Sequence, residues 1–491
     1  MGRRTPKPRV NTRTDTPAPL RRRGPRPLLL HLTLAMLRST VSRATSPSSN
    51  PASPNSSTAF AAAAAAIAEV LRNPIHADNA AEAFPRAVVE ETLRQDADLI
   101  SGIAAYRRHP YWRALQDPAV VWAEGETRLL DYGAMDHGVS GQGALDQGAP
   151  DHDGPSYGGS NCGDPDRDGR NQAGAGVPAL FVPSLVNRAY VLDLLPGHSM
   201  LRWLAAHGVR PLLLDWGWPT EVERRFTLTD YVAGRLERAM EAAAGITGER
   251  PALVGYCMGG TLAVAAAARR PGLLRGLGLL AAPWDFHAAD HAQEMTDREA
   301  TTANPGMGQS QMGQSQKLAS ILPLFEPALA FNQTLPVDLL QVLFAMLDPW
   351  GVADKYRGFA RLNQDSERAR LFVALEDWLN DGVPLAAPVA RECIAGWYGE
   401  NSPARGTWRI AGMPVDPTAV RLPTFVAAPA RDRIVPPESA RPLAELIPGA
   451  VLHEPAAGHI GMAAGGTAER VLWRPFRDWL VALPAVRPRS A

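Results

Sequence analysis

A thiol, a carboxylate and an imidazole occur in an order that suits nucleophilic catalysis: Cys257, Asp432 and His459. Cys257 is the centre of Gly255-Tyr256-Cys257-Met258-Gly259-Gly260. Before it lies an apolar run, Ala252 to Gly255, that reads as a buried strand; after it, small residues read as a helix from about Met258. A nucleophile on such a turn sits at a strained backbone angle, and glycine neighbours keep side chains out of the close strand–helix contact. A cysteine acts as a nucleophile when a base takes its proton and a third group orients that base. His459, in AAGHIGM, is the residue type of the base, and Asp432, in RDRIVPP, is that of the orienting acid. Each has a plainer reading by itself: a buried structural thiol, a solvated turn aspartate, a hydrogen-bonded loop histidine. Together and in this order they favour a Cys–His–Asp relay, whose chemistry is attack on an acyl carbon.

The residues that must position this relay fall into segments. Residues 1–57 read as a leader, basic at Arg21, Arg22, Arg23 and Arg26 and then Ser/Pro/Asn-rich, with little to bury. The apolar run Leu28 to Leu37 resembles a secretory signal, but it contains His31 and no small-residue cleavage site follows directly. A disordered leader, or a start codon set too far upstream, is the expectation rather than export. Residues 58–133 carry an alanine-rich helix through Leu71, a second helical stretch between Ala80 and Ile103, and a β-hairpin from Ala119 to Gly133 around Glu124-Gly125. Residues 134–176 form a Gly/Asp-rich insertion expected to be disordered; Cys162 falls in it and receives no role. Over 177–282, strands at Val177 to Asn187, Val209 to Gly217 and Leu277 to Ala281 alternate with helices around His198 to His207 and Thr227 to Ile246. Such alternation implies parallel strands joined by right-handed crossovers. Residues 283–421 break it with helical, aromatic- and proline-rich sequence and a polar tract at 304–316. Residues 422–483 restore it, with a last strand at Ala450 to Glu454 and a closing helix from Ala468 to Val481; 484–491 is a tail.

Composition narrows the classes. Fifty Lys plus Arg balance fifty Asp plus Glu, so no global field argues for nucleic acid. Three cysteines, Cys162, Cys257 and Cys393, fit neither a disulfide framework nor a zinc site, which makes a reducing, cytoplasmic setting the default. No apolar run reaches the roughly 18 to 20 residues that span a bilayer, so no integral membrane association is expected.

The strand–elbow–helix unit resembles the nucleophile elbow of the α/β-hydrolase fold, with cysteine where serine usually stands. The expected architecture is α/β: a mostly parallel sheet with helices on both faces and an inserted helical cap domain at 283–421. The chain order of that fold, nucleophile then acid then histidine, selects Asp432; Asp215 and Asp285 also follow strands but precede the cap. Two backbone N–H groups should form the oxyanion hole, one from Met258 and one, by our choice, from Val186 in the loop after the strand ending at Pro183.

More of the chain is similar to the polyhydroxyalkanoate synthases, above all the shorter two-subunit class. VPSLVNRAYVLDLLPGHSM (Val182 to Met200), LLLDWGWP (Leu212 to Pro219), GYCMGGTL, APWDF (Ala282 to Phe286), RDRIVPP and GHIGM follow in that family's order. The block HPYWRALQDPAVVWAEGETRLLDYG (His109 to Gly133) resembles its N-terminal region, and FVALEDWLNDGVP (Phe372 to Pro384) part of its cap. The likeness covers roughly Asn73 to Leu483; the leader and the Gly-rich insertion depart from it. It implies an enzyme that polymerises 3-hydroxyacyl units from coenzyme A thioesters through a Cys257 acyl-enzyme and releases coenzyme A, with no metal or other cofactor. Its partners by that likeness are 3-hydroxyacyl-CoA, the growing polyester chain, a second synthase subunit and a second copy of itself as a homodimer, at a polymer-granule surface in the cytoplasm. The same residues also suit a thiol hydrolase (thioesterase or polyester depolymerase) with water as acceptor, an acyl transfer to a small alcohol or amine, or a non-catalytic granule-associated or regulatory protein that kept the fold.

Overall fold

The computed structural model of the chain describes residues 22–35, 77–133, 176–288, 290, 313–347 and 350–487. The rest of the expected leader, the alanine-rich helix through Leu71, the Gly/Asp-rich insertion with Cys162 and most of the tract at 304–316 lie outside the described residues. Contacts divide the chain into two units, Met1–Trp112 with Ala353–Val373, and Arg113–Val352 with Ala374–Ala491.

The first unit is built on a helix, Ala77–Arg108. Tyr106 at its end and Tyr356 are buried edge to face, their centroids 5.7 Å apart, and Phe359 stacks on Phe372 at 4.2 Å. A Cβ on Gly102 would lie 2.0 Å from the Tyr356 carbonyl oxygen, so only glycine admits this approach.

The second unit holds an eight-stranded sheet: β1 (Ala119–Glu124), β2 (Thr127–Asp131), β3 (Val177–Val182), β4 (Val209–Asp215), β5 (Ala252–Tyr256), β6 (Gly276–Leu280), β7 (Thr424–Ala427) and β8 (Val451–His453). Their spatial order is β1-β2-β4-β3-β5-β6-β7-β8. The six from β4 to β8 run parallel; β2 pairs antiparallel with β4, and β1, antiparallel to β2, forms that edge. Strands buried on both faces need no polar alternation, which is why they read in sequence as unbroken apolar runs. Leu180, Val182, Leu212, Leu214, Leu253, Leu277 and Leu279 pack in one core with the helices α1 (Glu237–Thr247) and α2 (Met258–Arg269). The alternate residues face the other way: Phe181 and Phe425 meet Phe476 of α3 (Arg474–Ala482) at 6.5 and 5.3 Å.

Local chemistry sets the ends of these elements. The strand expected to run to Asn187 stops at Val182, before Pro183, which has no N–H to offer a ladder. The helix expected from His198 starts at Met200, because Ser199 caps it by accepting the Arg202 N–H at 3.1 Å. Thr227 and Asp230 form the anticipated reciprocal cap, with bonds of 2.8 and 3.3 Å, and Gly248 at φ 69° ends α1.

Grouping differs from the sequence segments in two places. The hairpin at 119–133 belongs with the sheet rather than with the helix before it: β2 pairs along β4, and Arg128–Asp215 (3.0 Å) and Arg210–Asp131 (2.7 Å) tie the two strands. Within the helical stretch between β6 and β7, residues 353–373 group with the first unit. Among the described residues no helix is long and apolar enough to cross a membrane.

Candidate active site

Cys257 follows β5 directly and has φ 57°, ψ −132°, outside the regions open to ordinary L residues. Two hydrogen bonds hold it there: its N–H donates to Leu280 O at 2.9 Å, extending the β5–β6 ladder, and its carbonyl accepts the Gly260 N–H at 2.8 Å. The motif glycines are there for space. A Cβ on Gly255 would come within 2.3 Å of Gly260 Cα, one on Gly259 within 2.1 Å of Val182 O, and one on Gly260 within 2.3 Å of Ala282 Cβ. Helix α2 therefore lies against β3, β5 and the end of β6 at distances that no side chain permits, and its N-terminus starts one residue after the sulfur.

Asp432 lies on the loop after β7 and His459 on the loop after β8, so both arrive at the same C-terminal sheet edge as Cys257. His459 Nδ1–H donates to Asp432 Oδ2 at 2.7 Å, and both side chains are buried. Asp432 Oδ1 accepts two backbone bonds, from Ile434 and Val435 N–H at 2.9 Å each. The imidazole also interacts electrostatically with Cys257, and with Nδ1 taken by the carboxylate Nε2 is the nitrogen left for the sulfur. Burial opposes a charged imidazolium, but charge interactions with Cys257 and Asp432 and the hydrogen bond to Asp432 outweigh it and push His459 up to about 10 from its ordinary 6.5.

The sign of this shift gives a test. A group whose pKa rises on folding stabilises the fold fully below its unfolded pKa, here about 6.5, and loses that contribution as pH climbs through about 10. The His459 ring protons are therefore expected to titrate in the alkaline range in an NMR series; titration at or below 6.5 would show that these interactions do not outweigh burial.

The structure brings together the three residues anticipated from sequence. It also shows why the other strand-end acids stand apart. Asp215 is paired with Arg128 and accepts the Gly217 N–H at 3.1 Å. Asp285 accepts from Asn401 Nδ2 at 2.8 Å and from the His287 N–H at 2.9 Å, which fastens the loop after β6 to the end of the helical insertion. Met258 and Val186 both line the cavity beside Cys257. Met258 is the first residue of α2, where N–H groups lack helical partners. The Val186 N–H points to Ser184 Oγ at 3.3 Å, an engagement that the choice of Val186 from sequence had not foreseen.

Sequence reasoning passed over two tyrosines. Tyr256, the residue before the nucleophile, donates from its hydroxyl to the His459 carbonyl at 3.2 Å and lies 5.2 Å from the imidazole, centroid to centroid, so it fixes the base from behind. Tyr398 lines the cavity from the far side. The glycine spacing of the motif hides Tyr256, and nothing periodic marks Tyr398.

The cavity over Cys257 has an empty volume of about 800 Å³, its open mouth included. Its walls are largely hydrocarbon, with Leu335, Leu340, Leu343 and Phe344 from the helical insertion facing Cys257, Met258 and Ile434 from the sheet edge.

A parallel sheet of this order, an elbow cysteine and an acid–histidine pair on later loops define an α/β-hydrolase. A family model described as the alpha/beta hydrolase fold matches residues 198–464, and the chain belongs to that family. Among curated proteins, the poly(3-hydroxyalkanoate) polymerase subunit PhaC of Haloferax mediterranei is 30% identical over 309 residues, 62% of this chain and 58% of that protein. The protein of the same name from Haloarcula marismortui is 27% identical over 62% of this chain and 60% of its own length. That from Allochromatium vinosum is 27% identical over 62% of this chain and 80% of its own. The chain thus spans about three fifths of the length of the first two of these relatives.

Proposed function

We propose that the chain is a cysteine acyltransferase that takes 3-hydroxyacyl units from coenzyme A thioesters and joins them into a polyester. The observation that carries this reading is the relay from Asp432 through His459 to Cys257, opening on an apolar cavity sized for an acyl chain. His459 Nε2 holds the proton that the sulfur gives up, and the sulfur attacks the thioester carbonyl. The tetrahedral oxyanion meets the Met258 N–H and a second backbone donor from the loop after β3, with Val186 as the candidate. The carbonyl reforms, the carbon–sulfur bond to coenzyme A breaks, and the leaving thiolate takes the proton back from His459. In the second half His459 accepts the proton of a chain-end hydroxyl, whose oxygen attacks the Cys257 thioester; the proton returns to the Cys257 sulfur as the new ester forms. Asp432 orients the imidazole throughout.

Sulfur suits this task. Exchange of one thioester for another is nearly balanced, so the acyl group stays activated for transfer, whereas a serine ester would hold it in a deeper well. The names of the relatives support the same reading. By that likeness the chain works with a second synthase subunit, as a homodimer, at a polymer-granule surface in the cytoplasm, and the steps above need no group beyond the coenzyme A thioester.

The test is product analysis with 3-hydroxybutyryl-CoA. Coenzyme A release matched by oligomeric ester is the expected outcome. Release matched by free hydroxy acid, with no polymer, would replace this reading with a thiol hydrolase.

A further inference from the structure

The cavity over Cys257 offers few polar side chains, and one of them is placed with unusual care. Tyr398 lies in the π-helical turn Glu392–Gly399, a local distortion that often marks functional positions. Its carbonyl accepts from His287 Nε2 at 2.7 Å, and its ring meets Phe286 edge to face with centroids 5.0 Å apart at 72°. Backbone and ring are therefore both fixed. The phenolic hydroxyl makes no hydrogen bond to any described residue, yet it is not shut away from accessible space. Tyr398 lines the cavity, and its hydroxyl is in electrostatic reach of the Cys257 and Cys393 sulfurs; burial first, and then those two groups, push its pKa up, so it remains a protonated donor. Tyr398 also borders an adjoining cleft, more polar than the cavity, whose lining includes Asp285, Ser315 and Ser439, so it stands where the less and more polar parts of the site meet.

A hydroxyl in an apolar wall that is open to the cavity and has no protein partner is left to water or a ligand, and an acyl chain that fills the cavity displaces that water. The Ser184 hydroxyl, also in this wall, already accepts the Val186 N–H. An acyl group bonded to Cys257 presents its carbonyl oxygen to backbone N–H groups. The next polar atom along a 3-hydroxyacyl chain is the 3-oxygen, two carbons further on. We propose that the Tyr398 hydroxyl hydrogen-bonds this 3-oxygen and makes the site select 3-hydroxyacyl thioesters over acyl thioesters that lack it. The inference rests on the acyl-transfer reading above. A site built to bond a substrate hydroxyl discriminates strongly against the analogue without it, because the protein group is then left buried and unpaired.

The experiment compares single-turnover coenzyme A release from 3-hydroxybutyryl-CoA and butyryl-CoA, for the wild-type chain and Tyr398→Phe. Wild type is expected to prefer the hydroxy substrate by about tenfold or more, and Tyr398→Phe to shrink that preference by about tenfold. A mere packing defect lowers both rates and leaves their ratio in place. A ratio unchanged in Tyr398→Phe overturns the assignment of Tyr398. Equal rates for the two substrates in wild type overturn it without reference to any variant. If wild type releases coenzyme A from neither thioester and gains no acyl mass, the acyl-transfer reading itself falls, and this inference with it.

Discussion

Cys257→Ala is expected to slow coenzyme A release from 3-hydroxybutyryl-CoA by about ten-thousandfold or more and to abolish the acyl adduct seen by intact mass. The acyl group passes through a bond to this sulfur, and no other described residue lining the cavity pairs a nucleophile with a base. Cys393 lines the same wall but is buried, with its thiol pushed well up by that burial and by Glu392. The fold should survive, since alanine keeps the Cβ and hence the same backbone strain at φ 57°, ψ −132°. Glycine at the same position separates the two roles of Cys257. A non-glycine residue in so sparse a region costs about 1–3 kcal/mol, of which glycine gives back about 0.5–1 kcal/mol in chain entropy. Cys257→Gly should therefore be as inactive as the alanine variant but more resistant to urea. Wild-type release by either variant would remove Cys257 from the chemistry, and a glycine variant less stable than the alanine one would mean that the elbow is not strained.

Most of what positions this site was legible in the chain, and the reason is burial. Strands covered on both faces must be apolar along their whole length, so β3 to β7 stood out as runs. The motif glycines announced a close approach, and the structure gives its distances. The order of Asp432 and His459 behind the cysteine could be read because each follows a strand, and parallel strands deliver their following loops to one edge. What the chain concealed depends on contacts between distant residues. Whether the hairpin at 119–133 joins the helix before it or the sheet is decided by its pairing with β4, which no local pattern encodes. Residues 353–373 look like the helical sequence around them, yet the unit they join is set by tertiary packing such as Tyr106 on Tyr356. The roles of Asp215 and Asp285 emerged only with their partners Arg128 and Asn401 in view. Tyr398 was invisible for the same reason: a tyrosine in a helical stretch gives no sign of which wall it will line.

The second large effect is expected from Asp432→Asn, a change of one oxygen to NH2 in a buried side chain. Two backbone donors decide how the new amide sits. The Ile434 and Val435 N–H groups both point at Oδ1 from 2.9 Å, so that position must stay an acceptor and the amide carbonyl must occupy it. The NH2 then takes the place of Oδ2, 2.7 Å from His459 Nδ1, and becomes the donor where a carboxylate had accepted. His459 must answer with a bare Nδ1, which moves its proton to Nε2, the nitrogen that faces Cys257. In that tautomer the imidazole has no lone pair with which to take the thiol proton. It also loses the carboxylate charge, one of the causes that hold its pKa high. We expect coenzyme A release to fall about a thousandfold to ten-thousandfold, with KM little changed because no contact to substrate is removed. The His459 titration should move downward from about 10 in the same variant. Asp432→Glu provides the contrast, since it retains a carboxylate and with it the correct tautomer, at the expense of geometry. A variant with asparagine at 432 that keeps a tenth or more of wild-type turnover would show that the imidazole is oriented by something else.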